Sequence, residues 1–92
     1  LSGKTLVVLS ACGEFGFEPG GMRAAMNALD PQLAACAHYW GVTRERIHTV
    51  RIEYQEFKDA RFAASVEAGK AAAVALAERL ARAASASMSR AA

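Results

Sequence analysis

Four consecutive apolar residues, Leu6, Val7, Val8 and Leu9, leave no polar face near the start of the chain. That pattern predicts a strand over Thr5–Ser10, buried on both sides in a parallel sheet and covered by helices on each. From Ala11 to Leu29 the periodicity is lost. Glycines at 13, 16, 20 and 21 and Pro19 read as loop, with room for a short helical turn in Met22–Leu29. Asp30-Pro31 then signals a helix start, Asp as cap and Pro at the first helical position. Leu33, Cys36, Ala37 and Trp40 recur at helical spacing, and Gly41 can end that helix. In RIHTVRIEY the pattern changes to alternation, with Val50, Ile52 and Tyr54 on one face and Arg51 and Glu53 on the other. This predicts a half-exposed strand whose charges suit a sheet edge. Asp59 can cap a last long helix with an apolar stripe of Phe62, Val66, Gly69, Ala73, Leu76 and Leu80, and with Lys70, Glu78 and Arg79 outside it. The Ala/Ser-rich tail, 83–92, carries little pattern, so a frayed helix end and disorder are both open.

The order is strand, long loop, helix, strand, helix. Two strands separated by a helix call for a parallel crossover, so the fold class is α/β, a βαβα unit within a single domain spanning 1–92. The chain has 92 residues, 53% hydrophobic and 22% charged, with a net charge of +2 spread along it, the composition of an ordinary globular domain. A chain of this size buries only about 60–65% of the surface its unfolded form exposes, so a lone monomer needs a staple or a partner. No staple is visible. Cys12 and Cys36 belong to no C-x-x-C or Cys/His cluster, so reduced thiols are expected rather than a disulfide framework or a structural zinc. There is no membrane-length apolar run and no signal-like segment, so a cytoplasmic location is expected. The first residue, Leu1, suggests a trimmed or incomplete chain.

Most motif-like features fail their context. Ser2-Gly3-Lys4-Thr5 resembles the end of a phosphate-binding loop, but such a loop follows a strand and opens a helix, whereas this GKT precedes the strand. The loop glycines do not make the G-x-G-x-x-G dinucleotide fingerprint. His38 and His48 lie on different elements without acidic or thiol neighbours at ligand spacing, so no metal site is expected. Glu14 and Glu18 share a loop but form no catalytic pair, and there is no nucleophile elbow. The basic residues form no stripe with interleaved aromatics, which argues against nucleic acid as a partner.

What remains is the loop after the first strand. Ligands of open parallel sheets bind at the carboxyl ends of strands, and Ser10–Gly13 is such an end. Glycine there admits a flat ligand close to the backbone, and Ser10 offers a hydroxyl. Phe15 and Phe17 could pack against a ligand ring, or they could belong to the core of a simple turn. Both readings stand on these residues alone.

The run VVLSACGEFGFEPGG, followed by LDPQLAACAHYWGVTRERIHTVRIEY, resembles the C-terminal half of the flavodoxin-like FMN-dependent NAD(P)H oxidoreductases, the azoreductase and quinone reductase group. In that family the fourth strand ends in a motif like Thr-Ser-Arg-Gly-Gly or Ser-Ser-Arg-Gly-Asp, and a helix ending in aromatic-Gly-Ile/Val-Thr leads into the fifth strand. Trp40-Gly41-Val42-Thr43 keeps the second feature. The resemblance covers residues 3 to about 82.

The resemblance implies a flavodoxin-like parallel sheet with flanking helices, of which only the last two β-α units are present. Family strand order 2-1-3-4-5 makes Val50–Tyr54 the outer edge and Leu6–Leu9 an interior strand. It implies that Ser10, Ala11, Cys12 and Gly13 touch the flavin ring, with Glu14 and Phe15 lining the cleft, and that no side chain of these is a catalytic acid or base. Cys12 stands where the family usually has Arg, and Ala11 where it often has Ser, so a charged donor that would stabilise the reduced ring is absent from the loop. The implied cofactors are FMN, with NAD(P)H as electron donor. The implied acceptor is a quinone or azo compound, in a homodimer. The family's phosphate loop would lie N-terminal to Leu1. An interior strand also needs a second neighbour, either a missing N-terminal half or another copy of the chain. The other reading is a cofactor-free interaction module that pairs through this strand.

Overall fold

The computed structural model describes residues 3–91, with side chains through residue 88. Leu1 and Ser2, the latter the first residue of the Ser2-Gly3-Lys4-Thr5 run, lie outside the described residues, as does the tail residue Ala92. The order is β1 (Leu6–Ala11), a 3-10 turn (Ala24–Met26), α1 (Leu29–Tyr39), a second 3-10 turn (Arg44–Arg46), β2 (Ile47–Ile52) and α2 (Ala60–Ala91). The two strands pair in parallel, Leu6 beside Ile47 through to Ala11 beside Ile52. The chain is therefore α/β with a helical crossover, as expected of the last β-α units of a flavodoxin-like sheet.

Local chemistry sets the helix ends. Asp30 does not cap α1 but lies in its first turn; Asn27 does the capping, its Oδ1 accepting the Asp30 N–H at 3.1 Å. Asn competes for free helical N–H groups as well as Asp does, and it sits one turn earlier. At the other end Gly41 takes φ +79°. The Val42 N–H reaches Ala37 O at 2.9 Å and the Gly41 N–H reaches His38 O at 3.2 Å, a Schellman closure that only a residue at ease with positive φ can make. Asp59 caps α2 as expected, its Oδ1 accepting the Arg61 N–H at 3.0 Å.

The stripe expected on α1 is corrected in part. Ala37 is fully buried and Leu33 partly so, but Cys36 and Trp40 are exposed, because the face turned inward runs through Leu33, Ala34 and Ala37 to Val42. A hollow of about 780 Å³, lined by residues such as Val8, Leu33, His38, Val42, Ile47 and Thr49, separates that face from the sheet. On α2 the stripe holds throughout. Phe62, Val66, Gly69, Ala73, Leu76 and Leu80 are all buried or half-buried. Gly69 allows the closest approach, since a Cβ there would lie 2.8 Å from Ile52 Cγ1.

Cover is uneven along β1. Leu6, Val8 and Ser10 are half-covered, whereas Val7, Leu9 and Ala11 on the other face are exposed, Leu9 to 71%. The helix on that face, α2, packs mainly over β2. The outer edge of β1 has no strand beside it among the described residues. The 6576 Å² of accessible surface exceeds the roughly 5,100 Å² expected of a folded monomer of 9.7 kDa, and both the uncovered face of β1 and the later turns of α2, exposed from residue 81 to 88, add to it.

Candidate functional site

The carboxyl ends of β1 and β2 are stitched together past the last ladder pair. The Cys12 N–H donates to Ile52 O at 2.7 Å, and then the Tyr54, Gln55 and Glu56 N–H groups donate to Glu14 O, Cys12 O and Gly13 O at 3.0, 3.2 and 2.9 Å. To make these bonds the second segment turns sharply, with Tyr54 at φ +65° and Lys58 at φ +52°. Such φ values are unfavourable for residues with side chains and persist where surrounding contacts hold them.

At Tyr54 the contacts are aromatic. Phe15 stacks on Tyr54 with centroids 4.9 Å apart, and Phe57 closes on both at 6.0 Å. Guanidinium groups cover the cluster at two places, Arg23 over Phe15 at 4.5 Å and Arg61 over Phe57 at 4.5 Å. Arg23 also pairs with Glu14 at 2.9 Å and donates to Phe15 O at 3.1 Å. Phe15 and Glu14 thus belong to a clamp that ties the loop to the segment after β2. Farther along, the Phe17 N–H donates to Glu53 Oε2 at 3.2 Å, and Gly16, at φ +83°, accepts the Arg23 N–H at 2.7 Å. Gly21 must be glycine because a Cβ there would lie 2.5 Å from Gly16 O.

Beside the clamp, Ser10, Ala11, Cys12 and Gly13 line one cleft of about 310 Å³ together with Phe17, Met26, Asn27, Asp30 and Arg51. Its volume is at the low end of ligand pockets, about 300–1,000 Å³. The Ser10 hydroxyl lies 3.7 Å from Cys12 Sγ. Gly13 has no positive φ, and a Cβ on it would meet only Glu56, at an ordinary 3.6 Å. Neither the turn nor a neighbour therefore demands glycine at this position, and its bare backbone leaves the cleft open to a closely placed ligand. No group of three His, Cys, Asp or Glu side chains suited to a metal occurs among the described residues.

The structure thus brings four of the six expected site residues into one cleft and puts Glu14 and Phe15 in the wall that supports it. Sequence reading missed Arg51 and Asp30. Arg51 reads as a solvent-facing charge on an edge strand, yet its side chain is only 15% exposed, and its Nη2 bonds Asp30 Oδ2 at the start of α1. The signal lay in the register, which sets Arg51 beside Ser10.

Two curated proteins are similar to this chain, both named FMN-dependent NADH:quinone oxidoreductase 2. The protein of Colwellia psychrerythraea is 49% identical over 61 residues, 66% of this chain and 27% of the relative. That of Idiomarina loihiensis is 44% identical over 80 residues, 87% of this chain and 32% of the relative. The chain thus spans no more than about a third of the length of the curated relatives it matches. No protein-family model and no solved structure matches the chain. Over the segment it covers, the resemblance to the flavodoxin-like FMN-dependent NAD(P)H oxidoreductases is borne out, and the chain is similar to part of that family's quinone reductases.

Proposed function

We propose that this chain is part of an FMN-dependent oxidoreductase that carries reducing equivalents from NAD(P)H to a quinone or azo-type acceptor. The observation that supports it most is the cleft at the carboxyl end of β1, where Ser10, Ala11, Cys12 and Gly13 meet. The names of the relatives favour NADH as donor and a quinone as acceptor. When bound, FMN would supply the two-electron chemistry, accepting a hydride from the nicotinamide and giving two electrons to the acceptor, which takes up two protons as it becomes the quinol. The residues of this chain bind and orient. Ser10 would offer a hydroxyl and Gly13 an open backbone to the ring, and Cys12 a small apolar side. The clamp of Phe15, Tyr54 and Phe57 keeps the loop in place, with Glu14 anchoring it through Arg23. No side chain in the cleft is required as a general acid or base.

The phosphate contacts of FMN would come from sequence outside this chain, and the open edge and outer face of β1 would be covered by that sequence in a cytoplasmic homodimer. Purification of the full-length protein tests this. It should be yellow, hold FMN stoichiometrically and oxidise NADH or NADPH in the presence of a quinone, whereas a colourless protein that refuses added FMN would sink the proposal.

A second reading has one observation in its favour, the exposed Leu9 and free β1 edge. In it residues 1–92 are a cofactor-free module that pairs through β1 with another copy. Light scattering on this chain separates the two: a flavin-free dimer supports strand pairing, and a soluble compact monomer counts against it.

A further inference from the structure

The cleft holds a group to which the flavin reading gives no task. Register sets Arg51 beside Ser10, and strand alternation sends both side chains to the face that α1 approaches. The guanidinium is largely enclosed, and Asp30 is its protein partner among the described residues. Asp30 is fixed in turn. Its N–H donates to Asn27 Oδ1 at 3.1 Å, and its Oδ2 accepts from Asn27 Nδ2 at 2.9 Å, which also donates to Phe17 O at 3.0 Å. Strand, helix start and loop are joined through these three side chains.

Arg51 is the only cationic residue lining this cleft among the described residues. A guanidinium has five N–H donors in a rigid fork, of which Asp30 engages one. No other protein acceptor among the described residues meets the rest. Donors enclosed beside an open cleft are poised for an acceptor that enters it.

We infer that Arg51 is a ligand-binding residue of this cleft, donating to the carbonyl-bearing edge of a planar, reducible ring, with Asp30 and Asn27 as its positioning residues. The inference rests on the flavin reading for the kind of molecule that enters. Ring carbonyls that gain negative charge on reduction belong both to a flavin and to a quinone acceptor, and the two sources are separable by measurement.

The experiment uses the full-length protein with Arg51→Gln, Arg51→Lys and Asp30→Asn. It reads the midpoint potential of bound FMN, and the KM and kcat for a soluble quinone. If the flavin edge is the ligand, R51Q leaves Asp30 unbalanced and weakens binding of the reduced ring about tenfold relative to the oxidised. For a two-electron couple that moves the potential about 30 mV more negative. D30N moves it in the opposite direction, and R51K stays near the parent protein. If the quinone is the ligand, the potential holds while R51Q raises the quinone KM about tenfold at little-changed kcat, and R51K restores it. A pair that only braces the fold would lower thermal stability in R51Q and D30N alike without moving potential or KM, and that result overturns the assignment. Should R51Q fail to fold, D30N decides: a positive shift in potential or a changed quinone KM supports the assignment, and a variant that moves neither overturns it. A parent protein that takes up no FMN ends the flavin reading itself, whereas a yellow protein whose variants share one potential and one KM ends the role of Arg51 alone.

Discussion

The two ends of one short strand differ sharply. At its carboxyl end β1 runs into a loop held by one backbone hydrogen bond to Ile52 at the end of β2, three to the segment that follows, an aromatic stack and an Arg23–Glu14 pair. Along its body the same strand has one neighbour, and the face carrying Val7 and Leu9 is left to solvent. Across the ladder from Leu9, Val50 is half-buried, because α2 lies mainly over β2. A loop can thus be organised by local contacts while the strand that carries it stays open on one edge and one face. Local contacts build the carboxyl end, whereas the strand's body keeps one edge and one face open among the described residues.

The largest expected effect breaks that contrast directly. Leu9→Glu should change the stability of residues 1–92 by less than about 0.5 kcal/mol, since the side chain is already in water. In the full-length protein, where the proposed sheet would bury it, an unpaired carboxylate should cost more than about 3 kcal/mol. Urea denaturation of both proteins measures the difference, and equal small effects in the two would mean that Leu9 stays exposed in the larger protein as well.

On the covered side, Gly69→Val should destabilise by about 1–3 kcal/mol despite the better helix propensity of valine, because its Cβ enters space held by Ile52 Cγ1. Restoring the room with Gly69→Val/Ile52→Ala should recover part of the loss, and additive losses in the double variant would place the strain elsewhere.

How much of this was legible depended on how local the cause was. The crossover, the closing glycine at 41, the Asp59 cap and the whole α2 stripe follow from spacing and from single-residue backbone preferences. The inward face of α1 was harder to read, because with Ala34, Cys36 and Ala37 nearly interchangeable in size and polarity the stripe can rotate by one position. At the site, glycine spacing and the strand end pointed to Ser10–Gly13. The clamp could not be read, because Phe15 meets Tyr54 only once two segments about forty residues apart are in register. Arg51 was hidden for the same reason: alternation says which face it shares, but only Asp30 on α1 says that the face is enclosed.

Smaller effects probe the clamp. Tyr54→Ala and Tyr54→Gly both remove the ring that stacks on Phe15, a loss of about 0.5–1.5 kcal/mol beyond the area it buries. The alanine variant keeps the penalty of φ +65° and the glycine variant relieves it, so Tyr54→Gly should be the more stable of the two by about 1 kcal/mol. If alanine proves the more stable, the backbone at this position has moved out of the left-handed region and the clamp is loose enough to let it go.

The smallest effect belongs to the exposed start of α2. The Arg61 guanidinium, bonded to Asp59 at 2.6 Å, holds that carboxyl below its ordinary range. The unfolded chain, with an aspartate near the usual value of about 3.9, binds the proton first as pH falls. The contribution of Asp59 is therefore fully present above that value, shrinks below it and is gone once pH has passed the lower value of the folded state. Arg61 also lies over Phe57, so protonating Asp59 loosens both the helix cap and one lid of the clamp. Helical circular dichroism followed from pH 5 to about pH 2 should show an early, shallow loss that Asp59→Asn removes while leaving the main acid transition in place. An acid profile identical in the two proteins would mean that Arg61 holds its position over Phe57 without help from the carboxylate.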